Sequence, residues 1–262
     1  MLIDIHSHIL CNLDDGPRTL EQSLELARLA VQEGITMILA TPHHRNGRYL
    51  NEAHAIIEAV AVFQEQLNQN QIHLKVCHGQ EIRVYPQLID DYDDGSLLTL
   101  HGSSYMLIEF STGKLPERMD EMIYELSLMQ ITPIIAHPER NREIADQPDK
   151  LLRMIELGAL SQLTSHSITG KFGSHTKRLA MELCKRNLVH FIASDVHDAI
   201  HRPFHLQQAY DSVRRLLGDD YVTYYQQNAE HVIRNTPIER WTPAVKRRSR
   251  FSLQRVLNIL GT

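Results

Sequence analysis

The sequence predicts an α/β fold in which parallel strands alternate with helices and close into a barrel. Short apolar, strand-like runs alternate with amphipathic helical stretches along all of the chain's central part, the pattern of repeated βα units. Six runs end in metal-ligand side chains: LIDIHSH at His6 and His8, MILATPH at His43, LKVCHGQE at Glu81, YMLIEF at Glu109, PIIAHPE at His137, and VHFIASDVH at Asp195 and His197. In a barrel of parallel strands the C-terminal strand ends converge on one rim, where chemistry is placed. The length, 262 residues, is one that α/β barrels reach as a single domain. The expected organisation is one domain over residues 1–240 and a basic tail over 241–262.

The elements follow in order. His6 and His8 stand two apart on the first strand, so both imidazoles face one way and can share an ion. Residues 19–33 place Leu20, Leu24, Ala27 and Val31 at helical spacing, and Gly34 stands where that helix should stop. ITMILA is the next strand and leads to His43. A second helix is expected over 51–68, then the strands ending at Glu81 and Glu109. Carboxylates at the ends of buried parallel strands need a cation or several hydrogen bonds; paired with Arg83 alone, Glu81 would be structural. Helices over 117–130, 148–157 and 174–186 separate the strands that reach His137, His166 and Asp195. His166, in LTSHS, is expected behind the ligands rather than among them. Asp195 and His197 repeat the two-residue spacing of the first strand. HLQQAYDSVRRLLG and NAEHVIRN read as closing helices, the latter capped by Asn228.

Composition excludes several classes. Cys11, Cys77 and Cys184 are few and widely spaced, so reduced thiols rather than a disulfide framework are expected. The start lacks a charged n-region with an apolar stretch, and no run approaches the ~18 apolar residues of a membrane span, so a cytosolic protein is expected. The net charge is −5, yet residues 240–262 hold six Lys or Arg and no acid, which leaves about −11 on the rest. An acidic body does not suit a nucleic-acid groove. The tail gathers Phe251, Leu253, Val256, Leu257 and Leu260 against its arginines, and reads equally as a solvated extension, a closing helix, or a segment docking a partner or the inner membrane face.

A lone HxH is weak, and so is each other ligand taken singly. Together they form one positional pattern. Imidazole nitrogens with carboxylate oxygens and no thiolate favour Mn, Fe or Zn over a structural cysteine site. The C-x5-R spacing from Cys77 to Arg83 is set aside, because Glu81 inside such a loop would repel a phosphate. In HPERNR, Arg140 suits bidentate contact with a phosphate, or an ion pair with Glu139 or Glu143.

In that order DIHSH, DDG, TPHH, GQEIR, LIEF, AHPERN and ASDVH resemble the PHP (polymerase and histidinol phosphatase) superfamily. More narrowly they resemble the bacterial manganese-dependent protein tyrosine phosphatases of capsule and exopolysaccharide loci, the CpsB/CapC type. The resemblance implies a distorted (β/α)7 TIM-like barrel with up to three ions, Mn2+ first, and Fe or Zn as alternatives. It also implies hydrolysis of phosphotyrosine on a bacterial tyrosine autokinase that regulates polysaccharide export. Carried over, His6, His8, Glu81 and Asp195 would hold one ion, and Glu81 would bridge to a second held by Glu109 and His137. Asp15, His43 and His197 would hold the third, with Asp14 the competitor to Asp15. Arg140 and Arg202 match the phosphate-orienting arginines, although DAIHRPF around Arg202 aligns in more than one way.

A phosphate monoester is a dianion, so clustered cations and Arg140 neutralise it, and a water bridging two metals supplies hydroxide near neutral pH. A phenolate leaving group, with a pKa near ~10, needs little acid help; His201 or a metal-bound water is the expected donor. Two alternatives stay open: a small-molecule phosphomonoesterase such as histidinol phosphatase, and a metal-stabilised binding module without turnover. An amidohydrolase also begins with HxH on a barrel, but it would typically add a carboxylated Lys, and no Lys follows a strand end here. Oligomeric state is left open by the sequence.

Overall fold

Because parallel strands are covered on both faces, they are mostly written as continuous apolar runs, and the described residues hold nine strands. The computed structural model describes residues 1–244; the apolar and arginine positions of the tail from 245 onward lie outside the described residues. The strands are β1 (Leu2–Ser7), β2 (Ile35–Ala40), β3 (His43–His44), β4 (Lys75–His78), β5 (Glu81–Arg83), β6 (Tyr105–Glu109), β7 (Thr132–Ala136), β8 (Leu160–Thr164) and β9 (Phe191–Ala193). The helices are α1 (Leu20–Gln32), α2 (Ala53–Gln69), α3 (Leu88–Asp93), α4 (Met119–Leu128), α5 (Arg142–Asp146), α6 (Asp149–Glu156), α7 (Ser165–Thr169), α8 (Ser174–Lys185), α9 (Leu206–Leu217) and α10 (Asp219–Arg234).

All strand pairs are parallel, in two sheets ordered β1-β2-β4 and β3-β5-β6-β7-β8-β9. Two of the strand-like runs are each broken in two. Pro42 has no N–H to donate, so β2 stops at Ala40 and pairing resumes at His43, where Pro42 O accepts from Glu81 N at 3.2 Å. On the neighbouring run Gly79 makes the break: a Cβ there would stand 2.8 Å from the Leu100 side chain and 3.0 Å from that of Thr41. These interruptions set His43 and Glu81 at the start of short second segments, opposite each other in register.

Alternate residues build two cores. Met106, Ile108, Ile135 and Ile192 face the helices, while Ile3, Ile5, Leu39, Leu107, Ile134, Ala136, Phe191 and Ala193, drawn from both sheets, meet in one inner cluster. Outside the sheets, β1 reaches the segment after β9 through Asp195 N to His6 O and His8 N to Val196 O, each 2.9 Å. Ala229 and Val232 of α10 join the inner cluster, and Asn235 and Thr236 just beyond α10 accept from Ser104 and Tyr105 at the start of β6. The opposite, C-terminal strand ends are thereby left for the ligand side chains.

Five predicted helices lie within two residues of the observed α1, α2, α4, α6 and α8 at either end. One expectation is corrected. Asn228 does not cap a helix: α10 starts at Asp219 after Gly218, and Asn228 is buried inside it, donating to His190 O at 2.9 Å. Beyond α10, Trp241 stacks on Tyr224 with ring centroids 4.3 Å apart, while Thr242 O accepts from Asn187 and Ala244 N donates to Arg186 O just after α8. Among the described residues no helix is long and apolar enough to cross a membrane.

Candidate metal centre

Nine ligand candidates from seven places in the chain converge above the strand ends. His6 Nε2 and His8 Nε2 are 3.2 Å apart, and each lies 3.3 Å from Glu81 Oε2. Asp195 Oδ1 is 3.5 Å from the first and 3.3 Å from the second. These four atoms make a four-cornered set in which the two imidazole nitrogens stand 3.2–3.5 Å from each other and from both carboxylate oxygens, a donor spacing suited to first-row divalent cations. Around them His43 Nδ1 meets Glu81 Oε2 at 2.9 Å and Glu109 Oε1 at 3.4 Å, and His137 Nε2 meets Glu81 Oε1 at 2.8 Å. Asp15 Oδ1 lies 3.2 Å from His197 Nε2 and 3.5 Å from His43 Nε2.

These donors gather into four overlapping groups suited to a cation: His8, Asp15, His43 and His197; His6, His8 and Glu81; His6, His137 and Asp195; and His43, Glu81 and Glu109. Glu81 falls in two of them, and His137 groups with His6 and Asp195 as well as touching Glu81. The polar atoms are also left wanting. His43 Nδ1, Glu81 Oε2 and His197 Nε2 are buried without a hydrogen-bond partner, although His43 Nδ1 and Glu81 Oε2 are only 2.9 Å apart. Acceptors crowded together without protons between them are what a cation satisfies. Metal binding therefore fits the residues present.

Electrostatics agree. Burial opposes a charge on His43, but the Glu81 carboxylate beside it raises the imidazole to about 10. Burial likewise opposes the Glu81 and Asp195 charges, yet His6 and His43 hold the first, and Arg202 and His6 the second, well below the usual carboxylate range. A cluster that draws protons so strongly draws cations for the same reason.

Neighbours fix the candidate ligands. Gln162 Oε1 accepts a hydrogen bond from His6 Nδ1 at 2.8 Å, and Asp14 Oδ2 accepts one from His8 Nδ1 at 2.6 Å and another from His43 N at 3.0 Å. Both rings thus turn Nε2 toward the centre. Asp14 is engaged there, whereas Asp15 faces His43 and His197 and stays 39% exposed. His137 and Asp195 adopt left-handed backbone, φ 33° and 55°, which sharply turns the chain at the ends of β7 and beyond β9.

The cavity over the cluster is lined by Asp15, His43, Glu109, His137, Asp195 and His197 and by three arginines. Arg140 Nη1 and Arg202 Nη2 both donate to Asp195 Oδ2, at 2.7 and 2.5 Å. Arg83 pairs with Glu109 at 3.0 Å rather than with Glu81. His201 is not brought to this cavity: its side chain is 84% exposed, and it lines a neighbouring depression with Arg18 and Gln22. His166 is buried outside the ligand groups, stacked on Phe172, and burial with His205 and Arg202 nearby lowers it to about 4. Cys77 is buried and its thiol raised by that burial, which removes the nucleophile a cysteine phosphatase needs. Sequence reasoning missed Gln162 and Asp4, the latter accepting from Ser194 N at 2.9 Å; the signal was a polar side chain inside an apolar run, LSQLT and LIDI.

Parallel strands flanked by helices, with imidazole and carboxylate groups that could hold metal ions gathered at the strand ends, define a class of α/β proteins. Within it, residues 2–234 match the family model described as capsular polysaccharide synthesis, CpsB/CapC, and the chain belongs to that family. Tyrosine-protein phosphatase YwqE of Bacillus subtilis is 43% identical over 95% of this chain and 99% of its own length. Tyrosine-protein phosphatase CpsB of Streptococcus agalactiae is 30% identical over 89% and 99%. A crystal structure from work describing YwqE and Streptococcus pneumoniae CpsB as metal-dependent tyrosine phosphatases superposes with TM-score 0.91 and 43% identity, over 94% of this chain and all of that one. An organophosphorus hydrolase variant, TM-score 0.56 and 11% identity over 88% and 92%, shares the fold alone.

Proposed function

We propose that this chain is a metal-dependent protein-tyrosine phosphatase acting in capsular polysaccharide synthesis. The four-cornered set of His6, His8, Glu81 and Asp195, with two arginines anchored on the same Asp195, carries the reading. It is supported by family membership and by the relatives' names. We assign Asp15, His43, Glu109, His137 and His197 as the remaining ligands and Mn2+ as the ion. The two sheets then count as a distorted (β/α)7 barrel, β2 with β3 and β4 with β5 each being one interrupted strand and the β1 to β9 seam closing the ring. Residues 1–240 form the domain. The substrate is a phosphotyrosine protein, a tyrosine autokinase in the cytoplasm, approached at the membrane's inner face with help from the basic tail.

When bound, the divalent cations supply Lewis acidity and acidify a water. The chain does the rest. Arg140 and Arg202 are each held by one Asp195 oxygen, which leaves other N–H groups facing the cavity to bind and orient a phosphoryl dianion. Asp195 links binding and ligation, because its other oxygen belongs to the four-cornered set. Arg83, held on Glu109, adds a third positive group at the rim. No protein acid is required for a phenolate leaving group of pKa ~10, which suits the position of His201 away from the cavity.

The test is turnover with added Mn2+ of a phosphotyrosine peptide, a phosphoserine peptide and histidinol phosphate. The phosphotyrosine peptide should be preferred, and Glu81→Ala or His137→Ala should lower kcat by at least ~10³-fold with the fold intact. Preference for histidinol phosphate would overturn the substrate assignment, and full activity in either variant would overturn the ligand assignment.

A further inference from the structure

The metal cavity does not end at its arginines. A second depression of about 530 Å³ opens beside it and shares Arg140, Asn141 and Arg202 with it. Its outer wall is Arg142 on α5 and His175 and Thr176 in the first turn of α8, with the half-buried Phe172 ring below Arg140. Arg142 is exposed and, among the described residues, has no ion-pair partner. The α8 N-terminus follows Gly173, with no side-chain cap and no acid in its first turn, so its amide groups and dipole favour an anion. Residues 157–181 contain no Asp or Glu but hold Lys171, Lys177 and Arg178, in a chain whose net charge is −5. This is a positive exit from an otherwise acidic body.

Two acids also line the depression, and they differ. Asp146 is exposed at its edge. Glu139 is 3% exposed; its Oε1 accepts from Thr164 N, Thr164 Oγ1 and Ser167 Oγ, at 3.1, 2.7 and 2.6 Å, while its Oε2 has no donor. A buried carboxylate oxygen without a donor is costly, and a peptide N–H supplies one. Donor-seeking oxygen and anion-seeking wall together fit a polypeptide that carries an acidic side chain.

We propose that this depression binds the substrate polypeptide beside the phosphotyrosine, with Arg142 and the first turn of α8 holding an acidic side chain and Glu139 Oε2 taking a backbone N–H. The proposal rests on the phosphatase reading and adds a substrate preference to it. Such contacts at a partly exposed site should be worth about three- to tenfold in kcat/KM.

The experiment compares p-nitrophenyl phosphate with three phosphotyrosine peptides alike except for Glu, Gln or Lys at the two positions on either side. The wild type should prefer the Glu peptide, through KM. Arg142→Glu should abolish or invert that order while leaving p-nitrophenyl phosphate turnover unchanged. Equal kcat/KM for the three peptides with p-nitrophenyl phosphate turnover intact would overturn the subsite alone, as would an Arg142→Glu enzyme that keeps the wild-type order. Absence of turnover on every ester would overturn the phosphatase reading and the subsite with it.

Discussion

Asp14 and Gln162 decide which nitrogen His6 and His8, at the end of β1, offer, and each does so from the Nδ1 side without supplying a corner of the four-cornered set itself. Remove the acceptor on Nδ1 and the ring loses its tautomer and orientation, so Asp14→Ala or Gln162→Leu should weaken metal affinity ~10- to 100-fold with the fold retained. Competition with a chelating dye measures this; unchanged affinity in both variants would refute the role. Adjacent Asp14 and Asp15 look alike in sequence. The structure separates them because Asp14 turns back to His8 and the His43 amide, a contact no spacing rule encodes. Gly16 completes the DDG motif for a packing reason: a Cβ there would stand 2.2 Å from His8 O. Gly16→Ala must therefore push the ligand strand, and should cost ~2 kcal/mol or more, read as a lowered urea midpoint together with weaker metal binding.

Between the elements, β8 and β9 are tied at their starts by a histidine that must stay neutral. His190, 1% exposed, accepts from Ser161 N at 3.1 Å through Nδ1, and burial lowers its pKa to about 3. The unfolded chain takes up that proton below ~6.5 and the folded chain does not until about 3. Stability from His190 is thus complete above 6.5 and falls by up to ~1.4 kcal/mol per pH unit as pH drops through that window. Urea unfolding of metal-free protein between pH 6.5 and 4 should show a steeper loss in the wild type than in His190→Gln; equal slopes would dispose of the idea. Elements were legible in the sequence where periodicity was long, as in α1 and α8. The short α3, α5 and α7 lack two full turns of pattern, and α10 was shortened because its tyrosines Tyr224 and Tyr225 carry the buried face that aliphatic counting overlooks. The strand ends were legible because a charged side chain closing an apolar run has few structural uses.

Across the molecule, a metal ion held as proposed would do what the backbone does weakly. β1 and β2 share a register of four residue pairs, whereas β1 meets the segment beyond β9 through two backbone hydrogen bonds and a single bridge. That seam joins the first strand to a segment some 190 residues later, with the loop-closure cost such separation carries. His6 and His8 come from one side of it, and Asp195 and His197 from the other. A cation shared among them binds only when the seam is closed, so it stabilises the folded chain by mass action, ~2.7 kcal/mol at a hundredfold excess over Kd. For a chain of this size that is a rise of ~5–10 °C in Tm. Stripping the protein with a chelator should reverse it, and the His8 and Asp195 amides should gain hydrogen-exchange rate more than those of β6 and β7, whose pairing does not depend on the ions. A Tm indifferent to chelation, or exchange that rises uniformly over the sheets, would mean that the seam holds without metal and that the centre contributes chemistry but no closure.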